Sequence, residues 1–307
     1  MRNELPTSYP ATPSKPPVGD FVVVDGRRLF AHRAGNGGPA IVFLPGAGAV
    51  GLDFFNILAD AAESSTTLLY DRGGTGWSDA IPLPRTPTEV VDELRAFLAA
   101  AGLRPPYLLV GHSLGGGYAQ QYARRFPGEV AALLLLDPAH EDYPRYTPAA
   151  ATSDGDAIDM TTWEPPPVVI ERFITLFREK FAAWPDDVRE AVIDYHATRW
   201  RAGILEASNL PAIYADLARP APLGDIPTIV LTALALDPGS QLFMPDEWQR
   251  QVIDGKLRLN TALAASLPRG EQRLLPEASH GWMQAERPDA VVQALRDLLA
   301  VVRSDRA

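Results

Sequence analysis

The sequence predicts an α/β fold with a mostly parallel central sheet and helices on both faces. Short apolar runs such as residues 40–44 and 131–136 alternate with helical stretches along the chain. Runs of this kind are typical of parallel strands that are buried on both sides. The chain has 307 residues, of which 46% are hydrophobic and 21% charged. This length and composition suit one sizeable domain with an insertion.

The predicted elements follow each other in a regular order. Residues 21–24 and 28–32 flank the turn dipeptide Asp25-Gly26 and predict a hairpin. Further strands are expected at residues 40–44, 67–70, 107–110, 131–136, 228–236 and 272–275. Helices are expected at residues 53–62, 88–101, 116–126, 245–265 and 288–302. The alternation favours strands joined through crossover helices, as in parallel sheets.

This alternation stops after residue 137 and resumes at residue 227, which divides the chain into four parts. Residues 1–19 are rich in proline and polar residues and are expected to form a disordered tail. Residues 20–140 and 225–307 are predicted to form the two parts of the core. Between them, residues 141–224 carry apolar side chains at helical spacing, so we predict an inserted helical cap over a site.

The amino-acid composition limits which partners and which kinds of chemistry we expect. The formal charge of -10 and the sequence pI near 5.0 disfavour nucleic acids and anionic membranes as partners. The absence of cysteine excludes disulfides and thiolate chemistry. The histidines lack the spacing of a helical zinc site, so no metal is expected. With neither a signal-peptide core nor a membrane-spanning run in the sequence, we expect a cytoplasmic protein.

Residues 111–115 read Gly-His-Ser-Leu-Gly and follow the apolar run at residues 107–110. This is a G-x-S-x-G pattern between a strand and a glycine-rich helix start. A sharp turn there forces the serine into a strained backbone conformation, and small neighbours let the helix approach. The pattern predicts that Ser113 is a nucleophile exposed at the carboxyl edge of the sheet.

From residue 21 onward the chain resembles the α/β-hydrolase superfamily. The order of strands and motifs fits, and residues 71–78 are similar to the glycine turn of that family. Residues 44–47 stand where the family usually carries His-Gly, although Pro45 departs from that pattern. The resemblance implies that the backbone N–H groups of Ala47 and Leu114 stabilise an oxyanion.

A serine nucleophile needs a general base. In the family this base is a histidine in the loop after the last strand, and His280 occupies that place. The other four histidines fit worse: they lie in the early hairpin, inside the serine motif, just past a strand and in the insertion. We therefore predict that His280 activates Ser113.

The acid that orients the histidine is expected at the carboxyl end of a strand. The apolar run at residues 228–236 ends at Asp237, which is our prediction for the acid. Asp137, at the end of the strand before the insertion, is the alternative, because some relatives place their acid there.

The glycine-rich loop near residue 47 supports a competing interpretation. Gly46, Gly48 and Gly51 form a G-x-G-x-x-G pattern, and Asp71 follows at the spacing of a ribose-binding acid. A dinucleotide-binding protein remains a remote alternative. It leaves Ser113 and His280 without a role.

The leading prediction is a serine hydrolase without a cofactor that cleaves a carboxylic ester or lactone through an acyl-enzyme. The small-molecule substrate is expected to be small to medium and mostly apolar, because several aromatic residues could line a pocket. These residues are Trp77, Tyr143, Tyr146, Trp163 and Phe173. Serine at the elbow argues against epoxide hydrolases and haloalkane dehalogenases, which use a carboxylate there. Amide hydrolysis, carbon–carbon bond hydrolysis and perhydrolysis remain alternatives, as does a ligand receptor on this fold.

Overall fold

The computed structural model describes residues 15–147, 164–218 and 222–305. The described residues contain an eight-stranded sheet. Its strands are β1 Asp20–Val24, β2 Arg27–Ala34, β3 Ile41–Leu44, β4 Thr67–Tyr70, β5 Tyr107–His112, β6 Val130–Leu136, β7 Thr228–Ala235 and β8 Gly270–Ser279. They lie in the order β1-β2-β4-β3-β5-β6-β7-β8. From β4 to β8 all neighbours are parallel, whereas β2 is antiparallel to both β1 and β4.

Helices cover both faces of this sheet, which confirms the predicted fold class. They are α1 Phe55–Ala62, α2 Pro87–Ala100, α3 Leu114–Arg125, α4 Tyr143–Tyr146, α5 Pro167–Lys180, α6 Asp186–Ala207, α7 Leu210–Leu217, α8 Asp246–Ser266, α9 Met283–Glu286 and α10 Pro288–Ser304. Successive side chains of β3 point to opposite faces. Ile41 and Phe43 join a core cluster with α1 and α10, while Val42 and Leu44 join one with α2, α3 and α8.

The structure shows where several helices and strands begin and end relative to the local sequence signals. Thr86 caps α2, with its hydroxyl accepting from the Glu89 N–H, and Pro87 follows at the first helical position. The predicted helix at residues 53–62 begins instead with a 3-10 turn, Gly51–Phe54, before α1. The last strand is also longer than predicted, and it brings the chain to the residue before His280.

Between β6 and β7 the described residues form α4, α5, α6 and α7, and we call the described residues within 141–224 the helical insertion. Helix α6 has a non-helical residue, Arg199, at which it bends. Before this bend, Val188, Val192 and Tyr195 pack into the core beside α1 and α10. The amino-terminal half of α6 therefore anchors the insertion to the sheet domain.

At the amino end, residues 15–19 belong to the segment that we predicted as a tail. Pro16 is buried and Val18 packs against the core. Ordered structure therefore begins earlier than the sequence suggested. The rest of the predicted tail lies outside the described residues. In the part of the chain that the structure covers, no helix is long and apolar enough to cross a bilayer.

Candidate active site

Ser113 occupies the turn between β5 and α3, with φ 49° and ψ −121°. A non-glycine residue with positive φ is strained by about 1–3 kcal/mol and needs surrounding structure to hold it. Glycines allow the close packing that does so: a Cβ on Gly115 would lie 2.0 Å from the Leu44 carbonyl oxygen, and one on Gly111 would lie 2.6 Å from the Gly116 Cα. The sequence places these glycines where backbones touch.

His280 follows β8 and faces the serine. Its Nε2 lies 3.1 Å from the Ser113 Oγ, which is hydrogen-bond distance. The imidazole side chain is 38% exposed and Ser113 is half-buried. The structure thus brings together the predicted nucleophile and base, which are 167 residues apart in the chain.

The carboxylate that bonds the His280 ring belongs to Asp137 and not to Asp237. The Asp137 Oδ2 lies 2.7 Å from the His280 Nδ1. Asp137 directly follows β6 and has φ 48°, another positive value outside glycine. The prediction that Asp237 faces the imidazole is wrong, and the alternative residue occupies that position.

Asp237 instead holds the backbone of the neighbouring loops. Its Oδ2 accepts from the Gly281 N–H at 2.7 Å and its Oδ1 from the Ser240 N–H at 2.9 Å. Both oxygens are therefore engaged by backbone donors. Asp237 contacts the loop that carries His280, one residue beyond the histidine.

Lys256 also contacts the Asp137 carboxylate. This residue of α8 forms an ion pair with the Asp137 Oδ2, and its Nζ lies 2.7 Å from the His280 Nδ1. The side chain of Lys256 is only 9% exposed and that of Asp137 is fully buried. An ammonium group only donates hydrogen bonds. Lys256 and the imidazole therefore compete for one carboxylate oxygen.

The charge on Asp137 is stabilised despite its burial. Burial raises the pKa of this carboxyl, but the Lys256 ammonium and the hydrogen bond from His280 outweigh burial and leave the pKa below its ordinary value. The other oxygen accepts from the Asn260 Nδ2 at 3.1 Å. Asp137 is thus held as a carboxylate, the form that can accept from an imidazole N–H.

His112 lies inside the serine motif and contacts the loop that carries His280. Its Nε2 lies 2.8 Å from the His280 carbonyl oxygen. Burial, followed by the nearby His280, lowers the pKa of His112 to about 4. A neutral imidazole then donates to this carbonyl, so His112 helps to position the backbone of His280.

The expected oxyanion donors lie on two segments beside Ser113. Leu114 is the first residue of α3, so its N–H has no acceptor within the helix. Ala47 lies in the loop after β3, which we call the 45–48 loop. A Cβ on Gly46 in this loop would lie 3.2 Å from the Ser113 Cβ. Both segments therefore approach the nucleophile.

The glycine-rich segment at residues 46–51 does not offer the free amides that a bound pyrophosphate requires. The Gly48 N–H donates to Glu206 at 2.6 Å, and the Gly51 N–H donates to Asp71 at 2.7 Å. Asp71 also accepts from the Trp77 N–H at 2.9 Å. Protein carboxylates occupy these positions, so the structure contradicts the dinucleotide alternative.

The structure places the predicted pocket residues in different environments. Trp77 is 1% exposed and packs against Phe30, with ring centroids 5.6 Å apart, so it belongs to the core and not to a pocket. Phe173 stacks on Phe243 at 6.1 Å, beside the loop that contains Asp237.

The two tyrosines of α4 are also half-buried. Tyr143 stacks on Tyr214 of α7 at 5.7 Å, and the Tyr146 carbonyl accepts from Arg258 of α8 at 3.1 Å. Together with Phe173 they remain candidates for contact with a substrate. Trp163 lies outside the described residues.

Sequence reasoning missed Lys256 and Asn260. Both are polar residues within the apolar stripe of α8 that also contains Leu259 and Leu263, and they are spaced four apart. This spacing places them on one helix face. A charged residue within a buried stripe was the signal that could have identified the Asp137 partner.

Comparison with known proteins assigns the family. The family model described as alpha/beta hydrolase family matches residues 41–294. Among curated relatives, the uncharacterized protein YqjL of Bacillus subtilis is 35% identical over 116 residues, which cover 38% of this chain and 46% of that protein. The putative carbamate hydrolase RutD of Cronobacter turicensis is 30% identical over 102 residues, covering 33% of this chain and 38% of that protein. The chain thus aligns with less than half the length of these relatives.

Solved structures match nearly the whole chain. An esterase from Thermogutta terrifontis superposes with a TM-score of 0.63 at 21% identity, covering 93% of this chain and 99% of that one. A laboratory-evolved potato epoxide hydrolase superposes with a TM-score of 0.68 at 17% identity, covering 92% and 98%. The N-acyl homoserine lactone degrading enzyme Est816 has a TM-score of 0.55 at 20% identity, covering 91% and 99%. At these identities the likeness concerns the fold. The chain belongs to the alpha/beta hydrolase family.

Proposed function

We propose that this protein is a serine hydrolase that cleaves a carboxylic ester or lactone through an acyl-enzyme on Ser113. One observation carries the proposal. The Ser113 Oγ, the His280 imidazole and the Asp137 carboxylate form a continuous chain, with steps of 3.1 and 2.7 Å. A nucleophile beside a base that is oriented by an acid is the arrangement of serine hydrolases.

In the first half-reaction the Ser113 Oγ attacks the carbonyl carbon while its proton moves to the His280 Nε2. The carbonyl oxygen becomes an oxyanion, which the N–H groups of Ala47 and Leu114 stabilise. The bond to the leaving oxygen then breaks, and His280 returns the proton to that oxygen. The products are an ester of Ser113 and an alcohol, which stays attached to the acyl chain if the substrate is a lactone.

In the second half-reaction water replaces the alcohol. His280 takes a proton from the water, and the resulting hydroxide attacks the acyl carbon. The tetrahedral intermediate collapses, the bond to the Ser113 Oγ breaks, and His280 returns the proton to the serine. Asp137 stays ionised throughout and balances the charge of the imidazolium.

Two observations favour an apolar acyl or alcohol group. Phe173 and Phe243 stack beside the loop that contacts Gly281, and Tyr143 of α4 stacks on Tyr214 of α7. Aromatic side chains of this kind commonly line sites for apolar ligands. The esterase and the lactone-degrading enzyme among the structural neighbours support ester or lactone cleavage as the reaction.

Intact-mass measurement after treatment with a fluorophosphonate probe tests the nucleophile. We expect one adduct, located on Ser113, and no labelling of a folded Ser113→Ala variant. Ser240→Ala is the matched control, because it removes a hydroxyl from the neighbouring loop and should label like wild type. An adduct on another serine would remove Ser113 from this role.

A panel of aryl esters and lactones with increasing acyl length then tests the substrate class. Multiple turnovers, with the highest kcat/KM on apolar acyl groups, are expected. A single turnover followed by a persistent adduct would indicate a ligand receptor. Turnover of amides alone would exclude the ester assignment.

A further inference from the structure

The 45–48 loop is held by a side chain from the following turn. Arg72 comes two residues after β4 and is 1% exposed. Its Nη1 donates to the Pro45 carbonyl at 2.9 Å, and its Nη2 donates to the Gly46 carbonyl at 2.6 Å. One buried guanidinium thus fixes two successive carbonyl groups of the loop.

The helical insertion completes this arrangement with Glu206 of α6, which is 3% exposed. Its Oε1 lies 2.5 Å from the Arg72 Nε, and its Oε2 lies 2.7 Å from the Arg72 Nη2. The same Oε2 accepts from the Gly48 N–H at 2.6 Å. This pair is bidentate and desolvated, and it contacts both ends of the loop.

The consequence for Ala47 follows from the geometry of the peptide group. The Gly46 carbonyl and the Ala47 N–H belong to one planar, trans peptide, so they point in opposite directions. Arg72 holds that carbonyl and thereby sets the direction of the Ala47 N–H. The next peptide carries the Gly48 N–H, which Glu206 holds. Both peptide planes beside Ala47 are therefore fixed by this ion pair.

A close backbone contact seats α6 on the same loop. Gly48 has φ +69°, and a Cβ on it would lie 2.6 Å from the Gly203 Cα. A Cβ on Gly203 would lie 3.1 Å from the Gly48 Cα and 3.4 Å from the Ala47 carbonyl oxygen. Helix α6 and the loop meet without side chains between them, so a shift of the helix displaces the loop.

We propose that Glu206 and Arg72 are positioning residues that orient the Ala47 N–H toward the oxyanion, so that the helical insertion completes the oxyanion hole. The inference rests on the proposed function. Oxyanion donors act by being fixed before charge develops, and the loss of one donor lowers kcat by roughly 10²–10³-fold. Positioning of the donor should therefore affect kcat more than KM.

Steady-state hydrolysis of an aryl ester by Glu206→Ala tests the proposal. We expect kcat to fall by roughly 10²-fold, with KM changed only a few-fold. Glu206→Gln should give an intermediate kcat, because its amide oxygen still accepts one hydrogen bond. The matched control is Asp216→Ala. It removes a buried carboxylate of the insertion that accepts from the N–H and the hydroxyl of Thr88 in α2.

Gly203→Ala provides a test that does not depend on breaking an ion pair. Alanine favours a helix over glycine by about 1 kcal/mol, which offsets part of the strain of the new contact, so the variant should still fold. The new methyl group presses on Gly48 and Ala47, and kcat should fall by about tenfold, as expected when a donor is displaced. If Glu206→Ala does not fold, the kcat of Gly203→Ala alone tests the proposal.

Affinity for an aryl trifluoromethyl ketone gives a separate measurement. The ketone adds to Ser113 and forms a tetrahedral oxyanion, so Glu206→Ala should bind it more weakly by a factor similar to its loss in kcat. The inference is overturned if Glu206→Ala and Asp216→Ala lose kcat equally, or if Gly203→Ala is fully active. Failure of wild type to react with the fluorophosphonate at Ser113 would instead overturn the proposed function. Labelling of Glu206→Ala at the wild-type rate would overturn this inference alone.

Discussion

An aspartate follows each of the neighbouring strands β6 and β7, and the structure uses the two differently. Asp137 directly follows β6, is fully buried and lies 2.7 Å from the His280 ring. Asp237 follows β7 and accepts from two backbone N–H groups, one of them at Gly281. One carboxylate orients the imidazole, whereas the other holds the loop that carries it.

The difference teaches that a strand end fixes where a residue lies but not where its side chain points. Parallel strands deliver their carboxyl ends to one edge of the sheet, so both aspartates arrive near His280. Asp137 has φ 48° at the point where β6 ends. Aspartate tolerates this left-handed region better than most residues. In addition, β7 continues to Ala235, beyond its Leu231 partner of the last β6 residue. Backbone conformation and strand register together separate the two aspartates, and the apolar pattern of the strands predicts neither.

Asp137→Asn should give the largest effect on activity. The amide Nδ2 would donate toward the His280 Nδ1, which favours the tautomer whose Nε2 carries the proton and cannot accept one from Ser113. We expect kcat for an aryl ester to fall by about 10⁴-fold, the scale of the analogous change in serine proteases. Steady-state kinetics on the folded variant measure this fall.

The double variant Asp137→Asn with Lys256→Met separates chemistry from folding. Asp137→Asn alone leaves the Lys256 ammonium buried without its carboxylate, so stability falls along with activity. The double variant removes this unpaired charge and should recover melting temperature but not kcat. If activity returns with stability, Asp137 does not orient the histidine.

Lys256→Met should have the next largest effect, which is a loss of stability. Removing one partner of a buried ion pair costs about 3–5 kcal/mol, because the other charge stays buried. In the wild type the pKa of Asp137 is depressed, so its contribution to stability is present above the unfolded-state pKa of about 3.9 and is lost as pH falls toward the folded-state pKa. Without the ammonium this depression shrinks.

The free energy of unfolding at several pH values, obtained by urea denaturation, checks this sign. The difference between wild type and Lys256→Met should be largest near neutral pH and should narrow below about pH 4, where the unfolded aspartate is protonated. A difference that is constant with pH would mean that Lys256 stabilises the fold by packing and not through the charge of Asp137.

Asp237→Asn should have the smallest effect. The amide oxygen of asparagine can accept from the Gly281 N–H, but its Nδ2 cannot accept from the Ser240 N–H. The variant therefore loses one hydrogen bond and the charge of the other, at a cost of about 1–3 kcal/mol, in a loop that does not touch the His280 ring. We expect kcat to stay within tenfold of wild type under the assay used for Asp137→Asn. A loss on the scale of 10⁴ would reverse the assignment of the two aspartates.

Much of the fold could be predicted from the sequence because its signals are local. The fully apolar strand β3 and the Asp25-Gly26 turn each reflect a nearest-neighbour pattern. Ser113 was equally easy to predict, since the strand, the glycines and the helix start lie within a few residues of it. His280 required the family resemblance, because a loop histidine alone carries little information.

The remaining features of the site depend on contacts between distant residues. Arg72 and Glu206 are 134 residues apart, and Lys256 meets an aspartate that lies before the insertion. The G-x-G-x-x-G pattern at Gly46, Gly48 and Gly51 misled for the same reason. The residues that occupy its amides, Glu206 and Asp71, lie elsewhere in the chain.

The spacing of Ser113 and His280 along the chain has a consequence for biosynthesis. The nucleophile is translated 167 residues before its base, and β8 must pair with β7 before the histidine reaches the serine. A ribosome-bound chain that has emerged only as far as the helical insertion therefore contains Ser113 but not His280. Under the proposed function, the serine gains its proton acceptor only when the last strand docks.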